Sequence, residues 1–285
     1  MTKFKWLVST ILCTYNAERF IKDTLDSILN QTYKNQEILI RDDGSTDKTI
    51  EILEKYQKKD SRIKIWTSKE VWKKLGAYGG LNFLLDQSKW EFIAVQDHDD
   101  IWHSKKLELQ VDFLNKNKDF EACGTNSIYV YYHKKVLLAN KNSWLWYPTH
   151  TSLMYRNNWY RYDLSDKIWL DIVFIMKILK KIYILPLVGV IRRFFWTNLS
   201  FQWQKNIKEY YSFYKKHKDI TNTKLLAYNL YRWLFPNLSF YLSVKFFSKK
   251  KYIKLDETKE VIIEKLKNIY QEENIDEKSI SNFLK

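Results

Sequence analysis

Phe92-Ile93-Ala94-Val95-Gln96-Asp97-His98-Asp99-Asp100-Ile101-Trp102 decides the reading of this chain: a short apolar, strand-like run empties into three carboxylates within four residues. Like charges packed this closely repel and raise each other's pKa. Their placement at a strand's C-terminal end points to a cation that neutralises them. Hard oxygen ligands suit Mg²⁺ or Mn²⁺, and Mg²⁺ sites typically combine one or two carboxylates with substrate phosphates. The plainer alternative is a solvated acidic turn that leads into a helix.

The flanking segments decide between the two. Residues 6–14 are apolar and β-rich, and 17–31 carry Phe20, Ile21, Leu25, Ile28 and Leu29 at helical spacing behind Asn16, a good N-cap. Residues 37–41 read as a second strand, ending in Asp42-Asp43-Gly44-Ser45, with Ser45 placed to cap a helix over 46–58. A third strand follows at 63–67, a helix at 77–88 despite Gly79 and Gly80, a fourth strand at 91–96, and a helix capped by Ser104 to residue 117. This β-α-β-α order predicts an α/β fold with a mostly parallel sheet and helices on both faces. Ligands of such sheets bind beyond the carboxyl ends of the strands. Cys13-Thr14-Tyr15-Asn16, Asp42-Asp43 and the acidic run would all lie at that edge, which favours the metal–diphosphate reading over scattered solvated turns.

Beyond Phe120 the pattern changes. Residues 121–132 and 135–139 look like strands around a turn, 147–157 follows, then a helix over 165–181 and a strand over 182–192. From Phe201 onward the chain reads as helical, with exposed, mixed-charge helices over 256–285. The 285 residues carry a formal net charge of +15. Residues 201–255 alone hold twelve Lys/Arg against Glu209 and Asp219, together with fifteen aromatic residues. Basic and aromatic composition suits an anionic surface such as a membrane interface. No stretch of about twenty residues is free of charge, so no membrane-spanning helix is expected. Cys13 and Cys123 sit in apolar runs and read as buried thiols of a reducing compartment rather than a disulfide pair.

The run from Val8 to Glu18, the stretch Ser27-Ile28-Leu29-Asn30-Gln31-Thr32-Tyr33, and the run Glu37 to Asp47 together resemble glycosyltransferase family 2. Asn82-Phe83, Asp97-His98-Asp99-Asp100-Ile101-Trp102 and Lys106-Leu107 are similar to its rhamnosyltransferase-like branch, where Asp-Gln-Asp-Asp-x-Trp is usual. The resemblance is strong over about residues 6–115 and fails beyond about Phe201. It implies the GT-A (Rossmann-like) nucleotide-sugar fold over 1–200, with a donor half at 1–117, an acceptor half at 118–200, and a C-terminal helical appendage at 201–285.

The resemblance also implies roles. Thr14, Tyr15 and Asn16 would line the nucleotide pocket, the Tyr15 ring near the base, with Glu18 and Asn82 counted in the same donor site. Asp43 would accept from the base N–H, with Asp42 beside it. Asp97-x-Asp99 resembles the family's Asp-x-Asp motif: Asp99 would touch the metal, Mn²⁺ or Mg²⁺, Asp97 the ribose or sugar, and Asp100 the sugar or a supporting shell. The catalytic base is assigned to Asp166, where relatives show His-Asp-x-Trp; this chain has Ser165 for the histidine and Trp169 one step late, and Asp163 and Asp171 compete. Arg192 or Arg193 would touch phosphate or else be surface charges, and His150 would border the acceptor pocket or be structural. His98 takes the usual glutamine position.

The implied activity is inverting transfer of a sugar from a UDP- or TDP-linked donor to a glycan or lipid-linked acceptor of a bacterial surface polysaccharide. The implied place is the cytoplasm, peripheral to the inner face of the cell membrane through 201–255. A sugar nucleotidyltransferase would carry a glycine-rich phosphate loop where this chain has Thr14-Tyr15-Asn16-Ala17-Glu18. A non-enzymatic polyanion or nucleic-acid binder would leave the carboxylates, which repel phosphates, without a purpose, so no nucleic-acid partner is expected.

Overall fold

The computed structural model describes residues 7–68, 74–89, 91–131, 136–140, 148–165, 170–178, 181–194, 215–216, 252–254 and 259–270. Elements run β1 (Val8–Thr14), α1 (Ile21–Leu29), β2 (Gln36–Asp42), α2 (Thr49–Lys59), β3 (Ile63–Thr67), α3 (Gly76–Gln87), β4 (Phe92–Asp97), β5 (Ile101–Trp102) and α4 (Lys106–Lys116). Then come β6 (Ala122–Tyr131), β7 (Val136–Asn140), a 3₁₀ turn (His150–Ser152), β8 (Met154–Arg156), α5 (Leu170–Val173), a π-helical turn (Phe174–Ile178), β9 (Ile182–Phe194), β10 (Tyr252–Lys254) and α6 (Lys259–Tyr270).

One mixed sheet runs in the order β10-β7-β6-β8-β4-β1-β2-β3, with β9 lying between β6 and the short β5. The strands β3, β2, β1 and β4 are parallel, and β8 joins β4 antiparallel. β1 and β2 are apolar on both faces because both faces are covered. Leu12, Ile38, Ile40 and Phe92 face α1, α2 and α4 through Leu25, Leu53 and Val111. Ile11, Leu39, Ile93 and Val95 face α3 through Leu81, Leu84 and Leu85. α3 forms despite Gly79 and Gly80 in its interior, and Gly80 is required: a Cβ there would sit 2.1 Å from the Cys13 sulfur. That close approach brings the start of α3 against the ends of β1 and β2.

Several expectations change. Asn16 does not cap a helix; it stands at φ 46, a left-handed conformation that Asn tolerates better than most residues, and α1 begins only at Ile21. Neither Ser45 nor Ser104 caps, since α2 starts at Thr49 behind Lys48 and α4 at Lys106 behind Lys105, without side-chain caps. Within the helix expected over 165–181, residues 170–178 form an α turn followed by a π turn, in which Val173, Phe174 and Ile175 are buried in succession rather than at helical spacing; 166–169 and 179–180 lie outside the described residues. β5 was too short to stand out in the sequence; it exists because β9 pairs Ile191 with Ile101 and Val190 with Trp102. Tyr252–Lys254, read as part of a helical appendage, is a strand paired with β7. α6, read as exposed, buries Ile262 and Leu266. The rest of 201–251 lies outside the described residues, save 215–216.

Candidate active site

Strand register places the polar strand ends together. Thr14 stands opposite Asp42, and Cys13 stands opposite both Arg41 and Asp97, so β1, β2 and β4 end at one rim. The two thiols take no part. Burial pushes both Cys13 and Cys123 up to about 12, which keeps them protonated and unreactive.

Above β1 and β2 the rim is a pair of loops bonded to each other. The Asn16 N–H donates to Ser45 Oγ (2.9 Å), and Asn16 Oδ1 accepts from the Thr46 N–H (2.8 Å). The Glu18 N–H donates to Asp47 Oδ2 (3.1 Å) and Glu18 Oε2 accepts from the Lys48 N–H (3.0 Å). Asp42 is fully buried and accepts from the Gly44 and Ser45 N–H groups and from the Thr14 and Ser45 hydroxyls. Thr14, Asn16, Glu18 and Asp42 are thus committed to loop construction. Asp43 accepts from the Leu75 and Gly76 N–H groups at the start of α3 (2.8 and 2.9 Å), with buried Arg41 at 3.7 Å. Tyr15 alone of this group offers an open ring, 48% exposed, with Lys74 Nζ 5.1 Å from its centroid.

The acidic turn is built differently. Asp97 is partly exposed, facing His150 Nδ1 at 3.6 Å and Arg192 Nη2 at 3.8 Å. Burial pushes its carboxyl up, but His150 and Arg192 overcome that and hold it below the ordinary value. Buried Asp100 accepts from the Arg193 N–H (3.0 Å) and meets Arg192 Nε at 3.4 Å. Burial raises Asp99, and neighbouring Asp97 adds to the rise. Burial opposes the Arg192 charge, but Asp100, Tyr129, Asp97 and Asp99 outweigh it and hold the guanidinium above its ordinary value. Arg193 is a staple rather than a surface charge: it reaches the Asp99 carbonyl, the Asp23 carboxylate (3.0 Å) and the Phe20 carbonyl of the α1 approach. Trp102 donates from Nε1 to the Thr151 carbonyl (2.9 Å), and Thr24 Oγ1 donates to the carbonyls of His98 and Asp100.

Among the described residues, no group of three or more His, Cys, Asp and Glu forms a metal cage. The donor set fits a hard divalent ion of another kind, one bound by one or two carboxylates and completed by phosphate oxygens and water.

Beside the acidic turn lie two residues that sequence reasoning missed, Tyr78 and Tyr162. His150 Nε2 lies 2.7 Å from the Tyr162 hydroxyl, and Tyr78 packs on both rings. Burial pushes the Tyr78 phenol well up, and the charges of Asp171 and Asp97 add to this. Asn82 faces the backbone rather than the rim: its amide donates to the Tyr162 carbonyl (2.9 Å) and accepts from the Tyr162 N–H (2.8 Å). Asp163 is exposed, accepting from Ser165, with Lys216 at 3.8 Å. Asp166 and Trp169 lie outside the described residues. The available signal for Tyr78 was an aromatic set among small residues, Gly76-Ala77-Tyr78-Gly79-Gly80.

Comparison with known proteins finds relatives in sequence and in fold. A glucosyltransferase of Escherichia coli, the UDP-Glc:alpha-D-GlcNAc-diphosphoundecaprenol beta-1,3-glucosyltransferase WfgD, is 41% identical over 130 residues, covering 43% of this chain and 49% of its own length. The putative teichuronic acid biosynthesis glycosyltransferase TuaG of Bacillus subtilis is 40% identical over 114 residues, covering 40% of this chain and 44% of its own. The chain thus spans about half the length, or less, of these curated relatives. The crystal structure of S. aureus TarS 1-349 in complex with UDP shares the fold, with a TM-score of 0.58 at 20% identity, over 90% of this chain and 78% of that one. The sequence model of Glycosyl transferase family 2 matches residues 9–183, more than half of the chain, through both the loop-bonded rim and the acidic turn. On that match the chain belongs to glycosyl transferase family 2.

Proposed function

We propose that this chain transfers a sugar, with inversion, from a UDP- or TDP-linked donor to a hydroxyl of a glycan or lipid-linked acceptor in bacterial surface-polysaccharide synthesis. The supporting observation is the strand register that sets Asp97, and Asp99 just beyond it, on the rim shared with Thr14 and Asp42. WfgD, by name, acts on a diphosphoundecaprenol-linked sugar with UDP-Glc, in keeping with a nucleotide donor and a lipid-linked acceptor. The rhamnosyltransferase-like branch rests on sequence alone: Asn82-Phe83, the Asp97-to-Trp102 motif and Lys106-Leu107.

In this reading Tyr15 stacks on the base, Asp43 accepts its N–H, and Asp97 holds the ribose. Asp42, Thr14, Asn16 and Glu18 keep that pocket in shape, Asn82 fixes its far wall, and Asp100 anchors the acidic turn to Arg192. Mn²⁺ or Mg²⁺, when bound at Asp99, stabilises the charge that develops on the leaving diphosphate. The acceptor oxygen attacks the anomeric carbon while its proton passes to a carboxylate, and the bond from that carbon to the diphosphate oxygen breaks with its electron pair on the diphosphate. One displacement gives inversion and needs one base. The sequence assigns the base to Asp166; Asp171, whose charge acts on the Tyr78 phenol beside the His150–Tyr162 cluster, and Asp163 are the described alternatives.

Among the described residues no helix is long and apolar enough to cross a membrane. Attachment at the inner membrane face through 201–255 is proposed from composition alone, twelve basic and fifteen aromatic residues. The test is a screen of UDP-, TDP- and GDP-sugars by nucleotide release with Mn²⁺ or Mg²⁺. It is paired with thermal shift, where UDP or TDP should raise the unfolding midpoint only with the ion. Release from no donor, together with stabilisation by duplex DNA, would overturn the proposal.

A further inference from the structure

The acidic turn is gripped from the acceptor half by a ring whose own position is over-determined. His150 lies in the 3₁₀ turn before β8 and is 6% exposed. Its Nε2 meets the Tyr162 hydroxyl at 2.7 Å, and Tyr78 and Tyr162 pack on it at 5.9 and 5.6 Å between centroids. Tyr162 is itself fixed: its ring stacks on Phe174 at 4.3 Å, and the Asn82 amide holds both its N–H and its carbonyl. The one ring atom left to face the rim is Nδ1, and it faces Asp97 Oδ1 at 3.6 Å. That distance is just beyond a direct hydrogen bond, and such contacts in ligand-free enzymes commonly tighten once substrate binds.

We propose that His150 is a positioning residue, held by Tyr162, that fixes the Asp97 carboxylate for the ribose of the donor. The role rests on the nucleotide-sugar reading above for its purpose, and on geometry alone for the contact. A carboxylate opposite Nδ1 selects the tautomer with its proton on that nitrogen, which leaves Nε2 to accept from the Tyr162 hydroxyl. Arg192 alone would leave Asp97 free to swing, because a guanidinium at 3.8 Å shared with Asp100 defines a charge rather than a direction. The imidazole supplies that direction. It also ties the donor rim to the segment carrying Asp171, through Tyr78 and Tyr162.

The test has two arms. In protein labelled with ¹⁵N-histidine, the His150 signals, identified among the five histidines by their loss in His150→Gln, report the tautomer. The wild type should show a protonated Nδ1 and an acceptor Nε2. Asp97→Asn should shift the proton away from Nδ1, and Tyr162→Phe should move Nε2. In the second arm, UDP affinity is measured in Mn²⁺. The Gln amide mimics Nε2 and the Asn amide mimics Nδ1. His150→Gln should weaken binding about tenfold or more, and His150→Asn should restore it to within about threefold, the order expected for one hydrogen bond to a charged group. His150 signals unmoved by Asp97→Asn, or an Asn variant as weak as the Gln variant, would overturn the proposal. A wild type that does not bind UDP at all would sink the nucleotide reading separately, and the NMR arm would then decide on the His150–Asp97 contact.

Discussion

Asp42 and Asp97 end two strands that flank β1, yet their carboxylates live in opposite ways. Asp42 is wholly buried and accepts hydrogen bonds from residues no farther along the rim than Thr14, Gly44 and Ser45. Asp97 is partly open and is held at longer range by His150 and Arg192, which come from other elements of the chain. The same sequence signal, an acid at a strand's carboxyl end, therefore has two physical meanings. One acid builds a loop, and the other concentrates charge where a ligand arrives. What separates them is whether nearby N–H groups satisfy the carboxylate.

The largest effect expected from this contrast is catalytic. Asp99→Asn should lower nucleotide release in the sugar-transfer assay by about 10²–10³-fold without moving the unfolding midpoint. An unchanged rate would remove the acidic turn from the chemistry. Asp42→Ala should do the reverse, costing about 3 kcal/mol of stability in urea unfolding, because it leaves several buried donors unsatisfied. If Asp97→Ala cost as much stability as Asp42→Ala, the distinction between the two acids would fail. Gly80→Ala should cost about 2 kcal/mol by forcing α3 off β1, since the added carbon would meet the Cys13 sulfur.

The smallest effect is a pH slope above neutrality. Lys106, at the foot of α4, is fully buried with no hydrogen-bond partner for Nζ among the described residues, and Nζ lies 3.8 Å from the Trp102 ring centroid. Burial lowers its amine from 10.5 to about 7. Between those values the unfolded chain holds a proton that the folded chain does not, so the group makes stability rise with pH; below about 7 both forms are protonated and the slope ends. Between about pH 7 and 9 the slope should be about 1 kcal/mol per unit and should flatten in Lys106→Met. Equal slopes in the two proteins would show that the buried amine carries no such linkage.

Much of the parallel half was legible because its signals are local. Apolar runs such as Val8–Thr14 and helical spacing through Ile21, Leu25 and Ile28 mark elements directly, and β1 to α4 fall close to where the pattern put them. Helix starts were misplaced because Asn16, Ser45 and Ser104 look like caps, whereas Asn16 and Ser45 in fact bond across the rim to each other's loop. The mixed half was less legible because its order comes from pairing over long separations. β5 exists only through β9, and Val173, Phe174 and Ile175 bury their side chains consecutively, a pattern that no single period describes. At the rim, Tyr15, Asp43, the acidic run and His150 could be named, while the partners of His150, namely Tyr78, Tyr162 and Asp97, lie far from it in the chain and meet it through the fold.

The three-residue strand β10 covers the outer backbone of β7, pairing Tyr252 with Leu138 and Lys254 with Val136. A sheet margin left bare is an adhesive template for other chains, and a very short outermost strand is one way proteins blunt it. A version of this protein ending before residue 252 would therefore present β7 unshielded. Self-association would be its expected fault, even with every residue of the rim intact.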